Sequence, residues 1–176
     1  MEKPNGELRL TFRKKQSGRT FLARQFYSLP LQITVPYYQD DDGTAFLALL
    51  NMGGGIFGSD YFRTQVLVED GAKALITNLS ATKIYKALGD DCSLLENEFS
   101  VGENAALEYM PECCVPFENS ASFQKNTFRL KKSSFLFATD FVTPGRIDMG
   151  EKFSYRKYAS DFKIFVDDRL IARERA

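Results

Sequence analysis

The 176-residue sequence predicts a mainly β fold: a layered arrangement of antiparallel or mixed strands with at most one or two short helices. Three observations predict it. Apolar residues alternate with period two, turn-forming residues recur at short and fairly regular spacing, and the chain carries 16 Phe and 8 Tyr without any Trp. Successive side chains of a strand point to opposite faces, so period-two alternation marks one buried side of a sheet. Aromatic residues suit that pleated, half-buried surface and can fill its core.

Along the chain, Leu8, Leu10 and Phe12 alternate after Gly6 and run into the turn signal Ser17-Gly18. Asp41-Asp42-Gly43 precedes Ala45 to Leu50, the longest uninterrupted apolar run, and a glycine-rich segment comes after it. Phe62, Val66 and Val68, with Thr64 among them, form the next alternating run and end at Asp70-Gly71. Ala81 to Leu88 suits helix and strand equally: Ile84 and Leu88 lie at an i, i+4 spacing between Ser80 as cap and Gly89 as stop, against the β-branched Thr82 and Ile84. Beyond Gly102-Glu103-Asn104 and Pro144-Gly145, alternation returns at Phe153 and Tyr155 and at Phe162, Ile164 and Val166. Arg169 to Ala176 suits the start of a helix. Short strands joined by tight turns point to a mainly antiparallel sandwich or layered fold. No internal repeat and no linker is visible, so residues 1–176 read as a single domain.

Composition excludes several functions. The 23 Lys and Arg balance 23 Asp and Glu, which argues against binding nucleic acid through bulk positive charge. A six-residue apolar run falls far short of the roughly 20 needed for a membrane-spanning helix. Met1 to Glu7 lacks the apolar stretch of a secretory signal, and three Cys do not make a disulfide framework, so the expected location is cytoplasmic. There is no histidine. That removes Ser-His-Asp and Cys-His nucleophile systems and His-based zinc sites, and leaves only carboxylates, Lys or Tyr for an enzyme to work with.

Charge is uneven along the chain. Residues 1–25 hold seven basic groups against Glu2 and Glu7, whereas residues 87–124 hold no Lys or Arg and eight carboxylates: Asp90, Asp91, Glu96, Glu98, Glu103, Glu108, Glu112 and Glu118. Such a stretch offers negative potential to cations or basic partners, or simply solvates the outer face of two strands.

Gly53, Gly55 and Gly58 satisfy GxGxxG. A dinucleotide fingerprint needs a helix after the last glycine and an acidic residue about 20 positions on. Here Tyr61 to Val68 alternates like a strand, and the later neighbourhood is Ile76-Thr77-Asn78-Leu79. The alternative is a tight loop in which glycine permits positive φ or close backbone approach. Cys92, Cys113 and Cys114 lack a CxxC spacing and read as spectators, with weak transition-metal binding a minor possibility.

Four stretches, taken in order, resemble the urease accessory protein UreD family, also called UreH. Gly54-Gly55-Ile56-Phe57-Gly58-Ser59-Asp60 resembles its GGLVGGD-like loop, with Ser59 where the family usually has glycine. Ile76 to Tyr85 is similar to its TTQ-(S/A)-ATK-(V/I)-Y stretch, departing at Asn78 and Leu79. Leu107 to Glu112 with Val115-Pro116-Phe117 resembles its LEYLP and IPF elements, and Gly145-Arg146 with Gly150-Glu151 its GR and GE pair. The resemblance covers about residues 6 to 172, and family chains continue further, so the domain is expected to be incomplete at its C-terminus.

The resemblance implies a non-enzymatic maturation chaperone, with no permanently bound cofactor, that binds urease apoprotein and a UreF-like protein, engages a UreG-like GTPase through that complex, and assists Ni²⁺ insertion into urease. Nickel would bind transiently, along an interior passage. Asp60, Glu108 and Glu112, with Thr82, are the expected inward-pointing residues of that passage. Gly54, Gly55, Gly58, Thr82, Lys83, Tyr85, Arg146 and Glu151 are the expected partner-binding or structural motif residues. Two other readings stand beside this one: a β-rich interaction scaffold unrelated to urease, and a nucleotide-binding oxidoreductase using the Gly53–Gly58 loop.

Overall fold

A computed structural model describes residues 3–176; Met1 and Glu2, which entered the reading of the N-terminus and the charge count, lie outside the described residues. Fourteen strands are present: β1 (Gly6–Lys14), β2 (Thr20–Tyr27), β3 (Leu31–Ile33), β4 (Ala45–Asn51), β5 (Tyr61–Val68), β6 (Lys73–Asn78), β7 (Thr82–Ile84), β8 (Ser93–Val101), β9 (Ala106–Met110), β10 (Cys114–Pro116), β11 (Ala121–Leu130), β12 (Phe135–Ala138), β13 (Lys157–Val166) and β14 (Arg169–Arg175). One 3-10 turn, Ile147–Met149, is the only helical element among the described residues. The fold is mainly β, as the alternation predicts.

The strands form a seven-stranded sheet in the order β14-β13-β11-β8-β5-β1-β2, a five-stranded sheet β12-β9-β6-β4-β3 and a two-stranded sheet β10-β7. The expected antiparallel order is corrected by the pairing. Only β1 with β2, β3 with β4 and β13 with β14 are antiparallel. The remaining pairs, including the whole β1-β5-β8-β11-β13 run and β4-β6-β9-β12, are parallel. Consecutive strands along these runs therefore do not pair as hairpins. The chain winds as a three-sided coil, from the large sheet to the five-stranded sheet, to the small third face, and back to the large sheet one place further on.

The turns that read as hairpin signals are the corners of this coil. Asp70-Gly71 turns β5 into β6, and Gly102-Glu103-Asn104 turns β8 into β9 directly above it. Glu103 N–H donates to Asp70 Oδ1 at 2.8 Å, and Gly71 N–H donates to the Glu103 carbonyl at 2.8 Å. A Cβ on Gly102 would stand 2.3 Å from Asp70 Oδ1, so this corner stacks closely only with glycine. The coil repeat escapes the sequence because its turns differ in length: the in-register partners Phe62, Leu95, Gln124 and Ser160 are separated by 33, 29 and 36 residues.

Inside the coil, Leu10, Phe12, Val66, Val68, Phe99, Val101 and Phe128 of the large sheet pack against Leu47, Ala74, Ile76 and Leu107 of the five-stranded sheet. Phe99 stacks on Phe128 with ring centroids 4.8 Å apart, and Phe128 meets Phe162 at 4.9 Å. Each fully buried Phe contributes roughly 1.5–3 kcal/mol, which makes this ladder the backbone of the core.

The outer face of the large sheet is charged in alternation. Its pairing registers Glu7, Arg63, Glu96, Lys125, Asp161 and Arg175 side by side on six strands. Arg63 lies 3.9 Å from Glu96 and 3.1 Å from Glu98, Lys125 lies 3.6 Å from Glu96, and Arg173 Nε donates to Asp161 Oδ1 at 2.7 Å. The carboxylates Glu96 and Glu98 of the basic-free stretch are thus compensated by neighbours 29 or more residues away. Of the two readings of residues 87–124, these pairs favour carboxylates that solvate and pair on an outer sheet face.

Of the two readings left open for Ala81 to Leu88, the strand holds, as β7 (Thr82–Ile84). Arg169 to Ala176 differs from expectation: it starts no helix and contributes β14, an antiparallel strand with every residue exposed. Phe153 and Tyr155 lie in a loop, where Phe153 takes φ +56°.

Candidate functional site

The motif residues converge on the third face. Gly54 has φ +75°, in the left-handed region that glycine adopts without penalty. Gly55 is hemmed in: a Cβ there would stand 2.2 Å from Tyr85 Cε2 and 2.9 Å from the Lys83 carbonyl oxygen. This closeness lets Ile56 bridge Ile84, with Ile56 N–H donating to the Lys83 carbonyl and Tyr85 N–H to the Ile56 carbonyl, both at 2.8 Å. At Gly58 a Cβ would meet Asp91 Cβ at 3.0 Å. The chain continues from Gly58 into strand β5, not into the helix a dinucleotide site requires, which removes the structural basis of the oxidoreductase reading.

An aromatic stack joins these turns. Phe57 stacks on Tyr85 at 4.8 Å and 18°, Tyr85 meets Phe117 edge-on at 5.0 Å, and the Arg146 guanidinium lies 3.9 Å above the Phe117 ring. Arg146 Nε donates to Glu151 Oε2 at 2.9 Å, and Glu118 N–H donates to the same oxygen at 3.0 Å. The Arg146 hydrogen bond holds the Glu151 carboxyl below its ordinary range. Arg146 and Glu151 thus close the stack as a bidentate pair. Lys83 is exposed and carries no ion pair among the described residues.

Behind this face, a cavity of about 120 Å³ is lined from every turn of the coil. Its lining is mixed: Leu8, Leu31, Leu49, Ile56, Phe62 and Leu95 supply apolar wall, and Thr64, Asn78, Thr82, Asn97, Gln124, Glu112 and Asp140 supply polar groups. The pairing places Thr64, Asn97 and Asn126 in one row across β5, β8 and β11. Asn97 Nδ2 donates to Asn126 Oδ1 at 2.9 Å, Asn126 Nδ2 donates to Asp140 Oδ2 at 3.2 Å, and Gln124 Nε2 lies 3.4 Å from both Asp140 oxygens. Asn78 Nδ2 reaches Thr82 Oγ1 at 3.4 Å, while Asn78 Oδ1 is buried with no donor among the described residues.

Asp140 stands at the rim, open to solvent on one side and walled by the cavity on the other. Loss of hydration on the walled side raises its carboxyl above the ordinary range, against the lowering effect of the Asn126 and Gln124 amides. It has no cationic partner among the described residues. Burial likewise pushes the Cys114 thiol on the same wall up to about 12, so it stays protonated at neutral pH and is a poor ligand there.

The expected passage residues separate. Glu112 lies on the cavity wall, as does Thr82. Asp60 does not: its Oδ2 accepts from Phe57 N–H at 2.9 Å and closes the glycine loop. Glu108 does not either, because Leu107 and Tyr109 on either side are the inward residues of β9 and leave Glu108 on the outer surface. Their expected inward orientation is corrected by strand parity and by the loop's own hydrogen bonding. Asn78, Asn97, Gln124, Asn126 and Asp140 went unnoticed in the sequence, although Leu95-x-Asn97-x-Phe99 and Gln124-x-Asn126-x-Phe128 place amides among the inward positions of otherwise apolar alternation.

The profile of the UreD urease accessory protein family matches residues 4–176. The chain belongs to the UreD family. The urease accessory protein UreD of Bacillus cereus is 33% identical over 171 residues, covering 97% of this chain and 62% of that relative. The UreD protein of Staphylococcus aureus is 36% identical over 146 residues, covering 83% of this chain and 52% of the relative. This UreD-family chain therefore spans between half and two thirds of the length of the curated relatives it matches. Within it, the aromatic stack and the glycine loop join successive turns of the third face, and the polar side chains of the cavity lie behind them. No helix among the described residues is long and apolar enough to cross a membrane.

Proposed function

We propose that this protein acts in urease maturation as a non-enzymatic accessory subunit. It binds urease apoprotein together with a UreF-like protein, meets a UreG-like GTPase through that complex, and passes Ni²⁺ toward the urease active site. Membership of the UreD family carries the urease part of this reading.

The polar column supports the nickel part. Its donors are amide and hydroxyl oxygens, the orphan Asn78 Oδ1 and the carboxylates Asp140 and Glu112. No group of three or more Cys, Asp or Glu poised to hold a metal occurs among the described residues. Sparse oxygen donors bind a divalent cation weakly enough to release it, whereas a thiolate or imidazole cluster would retain it. Ni²⁺ is thus cargo here, handled by the oxygens of Asp140, Glu112 and Asn78, with the Asn126 and Gln124 amides holding the Asp140 carboxylate in place.

The test combines co-purification and activation. The tagged chain, co-expressed with urease apoprotein and its UreF- and UreG-like proteins, is expected to travel with them on gel filtration. Asp140→Ala is expected to leave that complex intact and to lower urease activation at limiting Ni²⁺ by about tenfold, the size of effect seen when a residue around a metal site is removed. Full activation by Asp140→Ala would exclude the column as the route. No complex with the unaltered chain would overturn the accessory role.

A further inference from the structure

The two broad outer faces of the coil have opposite characters. Against the charged row of the large sheet, the corresponding row of the five-stranded sheet is Phe46, Leu75, Glu108 and Phe137, in register on neighbouring strands, extended by Tyr37, which bridges Phe46 at the edge. Phe135 and Met110 flank it, and Tyr37, Met110, Phe135 and Phe137 are all 40% exposed or more. Leu136 and Ala138, between and beyond the two Phe residues, pack into the core, so the Phe rings are turned outward by strand parity and not by loop disorder. A mostly apolar sheet face of this kind is unusual on a free surface. The face also holds one uncompensated charge. Glu108 makes no ion pair among the described residues, whereas Lys73 at the margin is already paired with Asp42 at 3.2 Å.

We propose that this face is a docking surface for an amphipathic helix of a partner protein, one whose apolar stripe carries a single Lys or Arg that pairs with Glu108. The inference rests on the accessory role proposed above and names the contact through which it is exercised. Charge selects the occupant. A second copy applying the same face would bring Glu108 into an apolar contact without a cation, and a membrane surface would meet a carboxylate at the centre of the patch. Geometry agrees. The row crosses the four strands β4, β6, β9 and β12 and the bridged Tyr37 segment, four steps spanning about 19 Å at about 4.8 Å each, which a helix of about 13 residues covers at 1.5 Å per residue. Sheet faces with an apolar row are covered by helices or by a second sheet, and a helix stripe brings both the apolar residues and the isolated cation in one element.

The test uses the full chain in the co-expressed complex with urease apoprotein and the UreF- and UreG-like proteins. Glu108→Arg is expected to weaken the complex by at least about tenfold, as reversal of a desolvated charge at an interface does. Phe137→Asp is expected to do the same. Both residues point to solvent, so far-UV circular dichroism and the melting temperature of the isolated chain are expected to stay unchanged. A photo-cross-linker at position 137 is expected to capture a helical partner segment with a basic residue amid apolar ones, and acidic replacement of that residue is expected to restore binding to Glu108→Arg. The same cross-linker at Thr127, on the charged face, is the control. A complex that forms normally with both variants would overturn this inference and leave the accessory role standing. Cross-linking at 137 to a second copy of the chain would also overturn it. Failure of the unaltered chain to form any complex would overturn both.

Discussion

Gly55→Ala tests how the third face is held. The new Cβ would stand 2.2 Å from Tyr85 Cε2, 2.8 Å from Cδ2 and 2.9 Å from the Lys83 carbonyl oxygen, where carbon contacts settle near 3.5–4.0 Å. The ring must retreat by more than 1 Å, roughly the shortfall in that spacing. Retreat breaks its stack on Phe57 at 4.8 Å and its edge contact with Phe117 at 5.0 Å. Two aromatic contacts at about 0.5–1.5 kcal/mol each, with strain at the Lys83 carbonyl, set the expected cost at about 2–4 kcal/mol. In a Tyr85→Ala background the ring contacts are already absent, and Gly55→Ala is expected to cost only about 1 kcal/mol, the low end of overpacking. The double-mutant cycle should therefore show a coupling of about 1–3 kcal/mol. Gly18→Ala is the comparison: nothing lies within 4 Å of its Cβ, so its cost of about 1–2 kcal/mol comes from φ +93° alone and should add to Tyr85→Ala without coupling. Urea unfolding, monitored by far-UV circular dichroism, supplies the stabilities of the single and double variants. Additivity of Gly55→Ala with Tyr85→Ala would refute the reasoning, because the clash is then not with the ring.

Asp140→Asn is expected to leave stability unchanged or slightly higher at neutral pH while impairing nickel delivery. The raised carboxyl binds its proton more tightly folded than unfolded, so its ionised form opposes folding, and the opposition is relieved as pH falls through its folded pKa. A thermal-unfolding series between pH 4 and 8 that showed Asp140→Asn losing more stability at pH 7 than at pH 4 would contradict this. Asp161 behaves in the opposite sense. Arg173 and Lys163 hold it down at about 2, so its contribution is fully present above the ordinary carboxyl range and is lost as pH falls toward 2, to be read from acid unfolding of Asp161→Asn beside the unaltered chain. Lys125→Glu places a third carboxylate between Glu96 and Asp161 and is expected to cost about 1 kcal/mol at low salt and less at 1 M salt, where screening shortens to about 3 Å; a salt-independent cost would point to packing instead.

Strand content was legible because alternation is a local property: Leu8, Leu10 and Phe12 declare a buried side whichever strand lies next to them. Strand sense was not. Asp70-Gly71 has the composition of a hairpin turn, and only the partner beyond it, β8's corner in place of β5's own neighbour, makes it a coil corner. Inward and outward positions were partly readable. Glu112 and Thr82 reach the cavity as expected, but Glu108 was misplaced by one step of parity, since a carboxylate between Leu107 and Tyr109 belongs on the opposite side from both. Asp140 lay outside every matched motif. Its place in the cavity wall emerges only from Gln124 and Asn126, which hydrogen-bond to it from β11.

The sequence by itself determined that this protein is β-rich, lacks histidine chemistry, and carries the glycine, ATKIY, LEYMP and GR/GE stretches of the UreD family, because composition and short-range pattern are written residue by residue. The tertiary structure alone decided that the strands coil in parallel, that Glu96 and Glu98 are neutralised by Arg63 and Lys125, that amides from separate turns line one column, and that one outer face is charged and the other apolar. Each of these depends on which residues stand in register between strands about 30 positions apart. Register is a contest among whole strands for burial and charge pairing, settled only when the coil closes.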